Sequence, residues 1–168
     1  MQNTLTISGR GRKIYGVPSA DRPTGIFLQP KGWQGWEGLR AGRREALARA
    51  LSHGEHDVPV KLPARVMTAD VRLIEDSLTK LRDLSQSFTG WGAAGDRFLL
   101  SVDHQGQKLT SIVRRILAEA EDTGRRDDRW FVAEGQIQFL AADPRKYGDT
   151  LTLPEVGGVE TAIAVYHR

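Results

Sequence analysis

The chain has 168 residues, with 24 Lys plus Arg against 21 Asp plus Glu, four His and no Cys. That length fits one globular domain, and the missing cysteine excludes a disulfide framework, a thiolate zinc site, an iron–sulfur cluster and a cysteine nucleophile. No apolar run approaches the roughly 20 residues of a membrane helix, and the N-terminus has no stretch that could serve as a signal-peptide core. A soluble single-domain chain, without membrane insertion or visible export, is therefore expected over 1–168.

The net charge of +3 is unevenly placed. Residues 1–20 carry Arg10, Arg12 and Lys13 and no acidic residue, so the rest of the chain balances at 21 basic and 21 acidic groups. DNA-binding domains usually gather Lys and Arg on one folded face. Here only an extended basic arm at 1–13 offers phosphate or subunit contacts, through Arg10, Arg12 and Lys13.

The first thirty residues alternate short apolar pieces with breakers: Leu5 and Ile7, then Ile14 to Val17 between glycines, then Ile26-Phe27-Leu28 before Pro30. Glycine and proline at this density mark short strands and exclude a long helix. Residues 31–38 (KGWQGWEG) read as a loop displaying Trp33 and Trp36. A short helix is expected over Arg43–Leu51, ended by Gly54. Val58, Val60 and Leu62 alternate around Pro59, as in an edge strand.

Arg65–Leu73 has a period of two, with Met67, Ala69, Val71 and Leu73 on one side and Val66, Thr68, Asp70 and Arg72 on the other. That is a half-buried strand. An amphipathic helix follows over Glu75–Phe88, with Ile74, Leu78, Leu81, Leu84 and Phe88 in one stripe. Glu75 and Asp76 suit its positive end, and Gly90 lies just past its C-terminus.

Phe98, Leu100 and Val102 alternate again, and Asp103–Gly106 reads as a hairpin turn. The segment from Thr110 has β-branched Ile112, Val113 and Ile116, with arginines near its start and acids near its end. A helix would have its dipole opposed, so a strand to about Leu117 is expected. The charged run Glu121–Arg129 reads as a solvated loop. In Trp130–Ala141, Phe131, Ala133, Gly135, Ile137, Phe139 and Ala141 share one face, and Asp143-Pro144 ends the strand. A last strand is expected over Val159–Tyr166. The sum is a mainly β (α+β) domain carrying one prominent helix.

No catalytic constellation emerges. His53 and His56 are three apart with Glu55 between them, whereas a zinc-protease helix needs histidines four apart. Ser52, His53 and Asp57 lack the Gly-x-Ser-x-Gly elbow of a hydrolase. No phosphate-binding glycine loop is present, and Glu119, Glu121 and Asp122 form a charge run of the solvated kind. No metal or cofactor is expected. Trp33, Trp36 and Trp91 could stack on sugars or bases, or anchor a protein partner, or plug the ends of their own core.

Residues 130–148 (WFVAEGQIQFLAADPRKYG), a long alternating strand running into Ala142-Asp143-Pro144-Arg145-Lys146-Tyr147, resemble the distal tail protein (Dit) family of long-tailed, non-contractile phages. The tryptophan–glycine loop Gly32–Gly38, His53-Gly54, the strand opened by Arg65, the helix Glu75–Phe88 and Val113-Arg114-Arg115 follow that family in order. The resemblance implies the family's N-terminal belt domain, a β-sandwich or split-barrel with one helix and no enzymatic activity. It implies a virion protein of a siphovirus tail tip, or of a gene transfer agent or related baseplate, made in the host cytoplasm. The implied assembly is a homo-oligomer, a hexameric ring linking the tail tube protein to the tail-tip hub protein, with DNA and the tape-measure protein in transit through its channel. Many members continue into a carbohydrate-binding-like domain; only about twenty residues follow Tyr147, so no second domain is expected. The alternative is a carbohydrate- or nucleic-acid-binding module using Trp33, Trp36 and Trp91 or the basic arm.

Physically, Pro144 fixes its own φ and disfavours helix at Asp143, whose carboxylate can cap nearby amides. Arg145, Lys146 and Tyr147 should then project from a rigid corner. The expected interface residues are Asp143, Pro144, Arg145, Lys146 and Tyr147 with Trp33 and Trp36.

Overall fold

The computed structural model describes residues 5–38, 41–42, 61–127, 129–148, 151–152, 162–163 and 166–167, with backbone alone over 123–127 and from 151 onward. The elements in chain order are β1 (Leu5–Gly9), β2 (Arg12–Tyr15), β3 (Gly25–Gln34), β4 (Arg65–Glu75), α1 (Leu78–Thr89), β5 (Phe98–His104), β6 (Gln107–Asp127), β7 (Trp130–Ala141), β8 (Lys146–Tyr147), β9 (Leu151–Thr152), β10 (Ala162–Ile163) and β11 (Tyr166–His167). The helix expected at Arg43–Leu51, the histidine segment 53–57 and residues 58–60 of the expected edge strand lie outside the described residues.

The mainly β expectation holds. Seven strands close into a barrel in the order β6-β5-β1-β2-β3-β4-β7, with β6 and β7 pairing to complete it. β8 and then β11 extend the sheet from β6. Barrel neighbours are antiparallel except β2 and β3, which meet in parallel at Tyr15 and Phe27. Closure pairs strands that would otherwise present open edges. Among the described residues, no helix is long and apolar enough to cross a membrane.

The alternation read from the sequence is the alternation of inside and outside. Met67, Ala69, Val71 and Leu73 of β4 are fully buried, as are Ala133, Ile137, Phe139 and Ala141 of β7. Eleven residue pairs join these strands, from Arg65 with Ala141 to Glu75 with Phe131. Two hairpins turn on two residues of positive φ each, Arg10-Gly11 and Gln105-Gly106. This is the turn whose twist matches that of the flanking strands. In the second, the Asp103 carboxylate accepts the Gly106 N–H at 3.1 Å.

Three expectations are corrected. The charged stretch from Glu121 is strand rather than loop as far as Asp127, paired along β7 to Trp130, with bulges between Arg115 and Leu117 and between Asp122 and Arg125. High charge argues against burying side chains but not against backbone pairing, and β7 supplies the partner. The helix starts at Leu78 with Ser77 as N-cap, because Glu75 is the last residue of β4 and pairs with Phe131. The basic segment is, from Leu5 onward, a hairpin of the barrel, with Ile7 and Ile14 fully buried.

The helix packs against β4, β6 and β7 through Leu81 and Phe88. Gly135 makes this approach possible, since a Cβ there would lie 2.6 Å from the Glu119 carbonyl oxygen and 3.1 Å from the Phe88 ring. The helix carries no basic residue in its last turn. Instead Arg12 of β2 donates to the Ser87 carbonyl and hydroxyl, and Arg115 of β6 donates to the Thr89 carbonyl. Cations from neighbouring strands thus satisfy the negative helix end.

Candidate functional site

Two of the segments that carry the family resemblance, the tryptophan–glycine loop and the Asp143–Tyr147 corner, meet in space, and Arg65 joins them. Arg65 opens β4 at an inward-facing position, on the same side as Met67 and Ala69, and is only 6% exposed. Its Nε donates to the Pro144 carbonyl at 2.9 Å. Its Nη1 donates to the carbonyls of Gly35 at 3.1 Å, Gly38 at 2.8 Å and Trp36. A buried guanidinium needs partners for its donors, and here peptide carbonyls from two loops provide them. Burial lowers the Arg65 pKa while the nearby Glu37 carboxylate opposes that shift.

The tryptophan–glycine segment is ordered by this clamp. β3 carries an irregularity between Leu28 and Trp33, with Lys31 at φ 61°. Past the strand, Gly35 and Gly38 both adopt positive φ, and the chain folds its carbonyls inward to Arg65. Trp36 is 4% exposed and lies 6.0 Å from the half-buried Trp33 ring, centroid to centroid. The loop therefore tucks its second tryptophan inside, against the expectation of two displayed rings. The driving force is apolar burial, about 25 cal/mol per Å² removed from water, while glycines supply the backbone freedom.

From the other side comes the Asp143–Tyr147 corner. Asp143 accepts the Arg145 N–H at 3.1 Å, the Arg145 Nε at 3.0 Å and the Tyr147 hydroxyl. Pro144 and Lys146 point inward and are buried, whereas Arg145 is exposed. Lys146 places Nζ 4.8 Å from the Trp36 ring centroid and 3.4 Å from Glu37 Oε2. A cation over an indole face is a favourable pairing. Burial lowers the Lys146 pKa; Glu37 raises it and Arg65 lowers it further. The expected projection of Lys146 is thus reversed: alternation around the proline sends it in and Arg145 out.

The Asp143 carboxyl is pushed up by partial burial, but the hydrogen bonds from Tyr147 and Arg145 outweigh that and leave its pKa below the ordinary range. A depressed carboxyl stabilises the fold above its unfolded pKa, near 3.9, and that stability is lost as pH falls through the lower folded value. Asp143→Asn should therefore flatten the acid limb of the stability profile below about pH 4. At neutral pH it should cost under about 1 kcal/mol, because this half-exposed pair is screened by water. Urea midpoints measured from neutral pH down to about pH 2 check both statements.

The remaining candidates are placed elsewhere. Trp91 is fully buried, with its ring edge-on to Phe139 at 5.5 Å, and Phe139 in turn meets Phe98. Trp33 and Trp36 both line an open apolar groove with Leu28 and Val17, but Trp36 is almost wholly buried and Trp91 fully so, which leaves half-buried Trp33 as the more accessible ring of the three. Arg10 pairs with Asp96 and lies 5.7 Å from the Phe98 ring, so it and Arg12 serve the barrel itself, while Lys13 is exposed. Among the described residues, no three His, Asp or Glu side chains gather as a metal site. Arg65 and Glu37 had no assigned role in the sequence reading. The available signal was an arginine at inward parity on an otherwise apolar strand face.

No family model matches the chain, and no curated protein matches it in sequence. The fold, however, is similar to that of a Dit protein. It superposes on the crystal structure of the Dit protein of phage SPP1, described as a paradigm of the hub adsorption apparatus in phages infecting Gram-positive hosts, with a TM-score of 0.60 at 18% identity. The match covers 89% of this chain and 54% of that one, so the chain spans about half the length of its structural neighbour.

Proposed function

We propose that this chain is a structural subunit of a phage tail tip. In this reading it forms a ring, expected to be hexameric, that joins the tail tube to the tip hub and leaves a channel for DNA and the tape-measure protein. The observation that carries the proposal is the Dit-like fold over 89% of the chain. The clamped corner supports it. A ring subunit must present surfaces whose geometry is set before assembly, since ordering them on contact would cost affinity. Arg65 holds the corner at the Pro144 carbonyl, and Asp143 holds it at the Arg145 N–H and the Tyr147 hydroxyl. Exposed Arg145, beside Tyr147, is the part of that corner offered to a neighbouring subunit or to the tube.

Light scattering and electron microscopy of the purified full chain test this. A closed ring is the expected result, lost in the folded Arg145→Ala, Tyr147→Ala double variant. A chain that stays monomeric up to about millimolar concentration, where even weak self-association registers, would overturn the reading.

A further inference from the structure

The outer face of β6 changes character along its length. Toward its start, Leu99 of β5 and Ile112 of β6 are direct cross-strand partners, and they are 61% and 47% exposed. Ile116, at the first bulge, is 51% exposed. Adjacent apolar side chains turned out to water from paired strands are a patch rather than scattered exceptions. Exposed Arg97 and Arg114 flank it.

Beyond the bulge the same strand turns acidic. Glu119 and Glu121 are exposed, opposite Gln136 and Glu134 of β7. Asp70 of β4 lies across from Gln136 and accepts its amide at 2.6 Å. Among the described residues Arg72 is the cation here, 3.4 Å from Glu134, against the carboxylates of Asp70, Glu119, Glu121 and Glu134. Arg114 and Glu119 are five residues apart on one strand, about 17 Å at the usual rise, so these opposite charges do not pair within a subunit.

We infer that these halves are the two complementary sides of a head-to-tail contact between copies of this chain. The apolar, basic half of one subunit docks on the acidic half of the next. Two different patches make a heterologous interface when each meets a different neighbouring copy, the kind that closes into a ring when the rotation permits. Opposite charge fixes which patch meets which, and the apolar residues contribute area at the centre. A nucleic acid is a poorer occupant, because the carboxylates of the same strand face would repel its phosphates. This assignment rests on the ring reading and deepens it by naming the contact.

The test uses the full chain in native mass spectrometry and light scattering, with circular dichroism as a control for folding. Arg114→Glu alone, and Glu119→Arg with Glu121→Arg alone, should each weaken self-association by about tenfold or more, since each sets like charges opposite one another. An equal mixture of the two variants should recover assembly with alternating subunits, because every contact in it pairs opposite charges. High salt should weaken the wild-type assembly and the mixture alike. If wild type forms rings and both variants do so equally well, or if the mixture fails to recover, the contact is wrong while the ring stands. A wild-type monomer at all concentrations overturns the ring and this contact together.

Discussion

Arg65→Met should destabilise the chain by about 2–4 kcal/mol, because orphaned buried carbonyls cost about 1–3 kcal/mol each while the guanidinium's own desolvation cost is removed. Methionine fills similar volume, so the loss is chiefly polar. The carbonyls of Trp36 and Pro144 would lose their donor in buried surroundings, and those of Gly35 and Gly38 in partly buried ones. An orphaned buried acceptor carries most of its desolvation cost. Arg65→Lys should recover little, since one ammonium does not reproduce a planar fork that reaches two loops. Lys146→Met is the contrasting case. That lysine is buried against Trp36, but its carboxylate partner Glu37 is 83% exposed in its side chain. Removing such a cation also removes its desolvation cost, so the change should lie within about 1 kcal/mol of neutral. Urea unfolding of the three variants decides this: comparable losses for Arg65→Met and Lys146→Met would contradict the clamp.

Gly35→Ala carries the second large effect. Gly35 has φ 77°, and a Cβ placed there would lie 2.1 Å from the Val66 carbonyl oxygen, a backbone atom with no freedom to swing away. The loop would have to lift from β4 and take its carbonyl off Arg65. Left-handed backbone strain of about 1–2 kcal/mol adds to an overpacking cost of about 1–3 kcal/mol, so a loss of roughly 2–5 kcal/mol is expected. Gly38→Ala is the matched control, with φ 70° and open space around the added atom. It should show the strain alone, about 1–2 kcal/mol. Equal melting-temperature shifts for the two variants would mean that the contact between the loop and β4 contributes nothing.

Local chemistry was enough to read much of this barrel. Arg65–Leu73, Phe98–Val102 and Trp130–Ala141 alternate because each has one face in a core and one toward water, and that pattern survives whichever strands become neighbours. The Asp103–Gly106 turn was visible for a similar reason, since its conformation depends on neighbouring residues, down to the Asp103 carboxylate that accepts the Gly106 N–H. The charged stretch after Leu117 misled because side-chain charge reports solvent contact and is silent about which strand accepts the backbone hydrogen bonds.

The tryptophans mark the limit of that kind of reading. Trp33 and Trp36 sit among glycines, and glycine permits a loop to fold either outward or inward. The inward choice rests on Arg65, whose contacts to this loop span 27–30 residues and whose contact to Pro144 spans 79. The basic residues behave likewise. Arg10 and Arg12 read as an arm because their partners, Asp96 and Ser87, lie 86 and 75 residues away.

Alternation, helix stripe and turn chemistry, with no cysteine and a balanced body charge, determined from the sequence alone a mainly β chain with one helix. The family resemblance singled out the Asp143–Tyr147 corner, and a proline with a capping aspartate accounts for its local turn, because both act on their immediate neighbours. Tertiary structure decided which strands closed the barrel, which tryptophans were buried and where each arginine found its partner. Those outcomes depend on contacts between distant segments, and such contacts form only once closure brings β4, the glycine loop and the corner together.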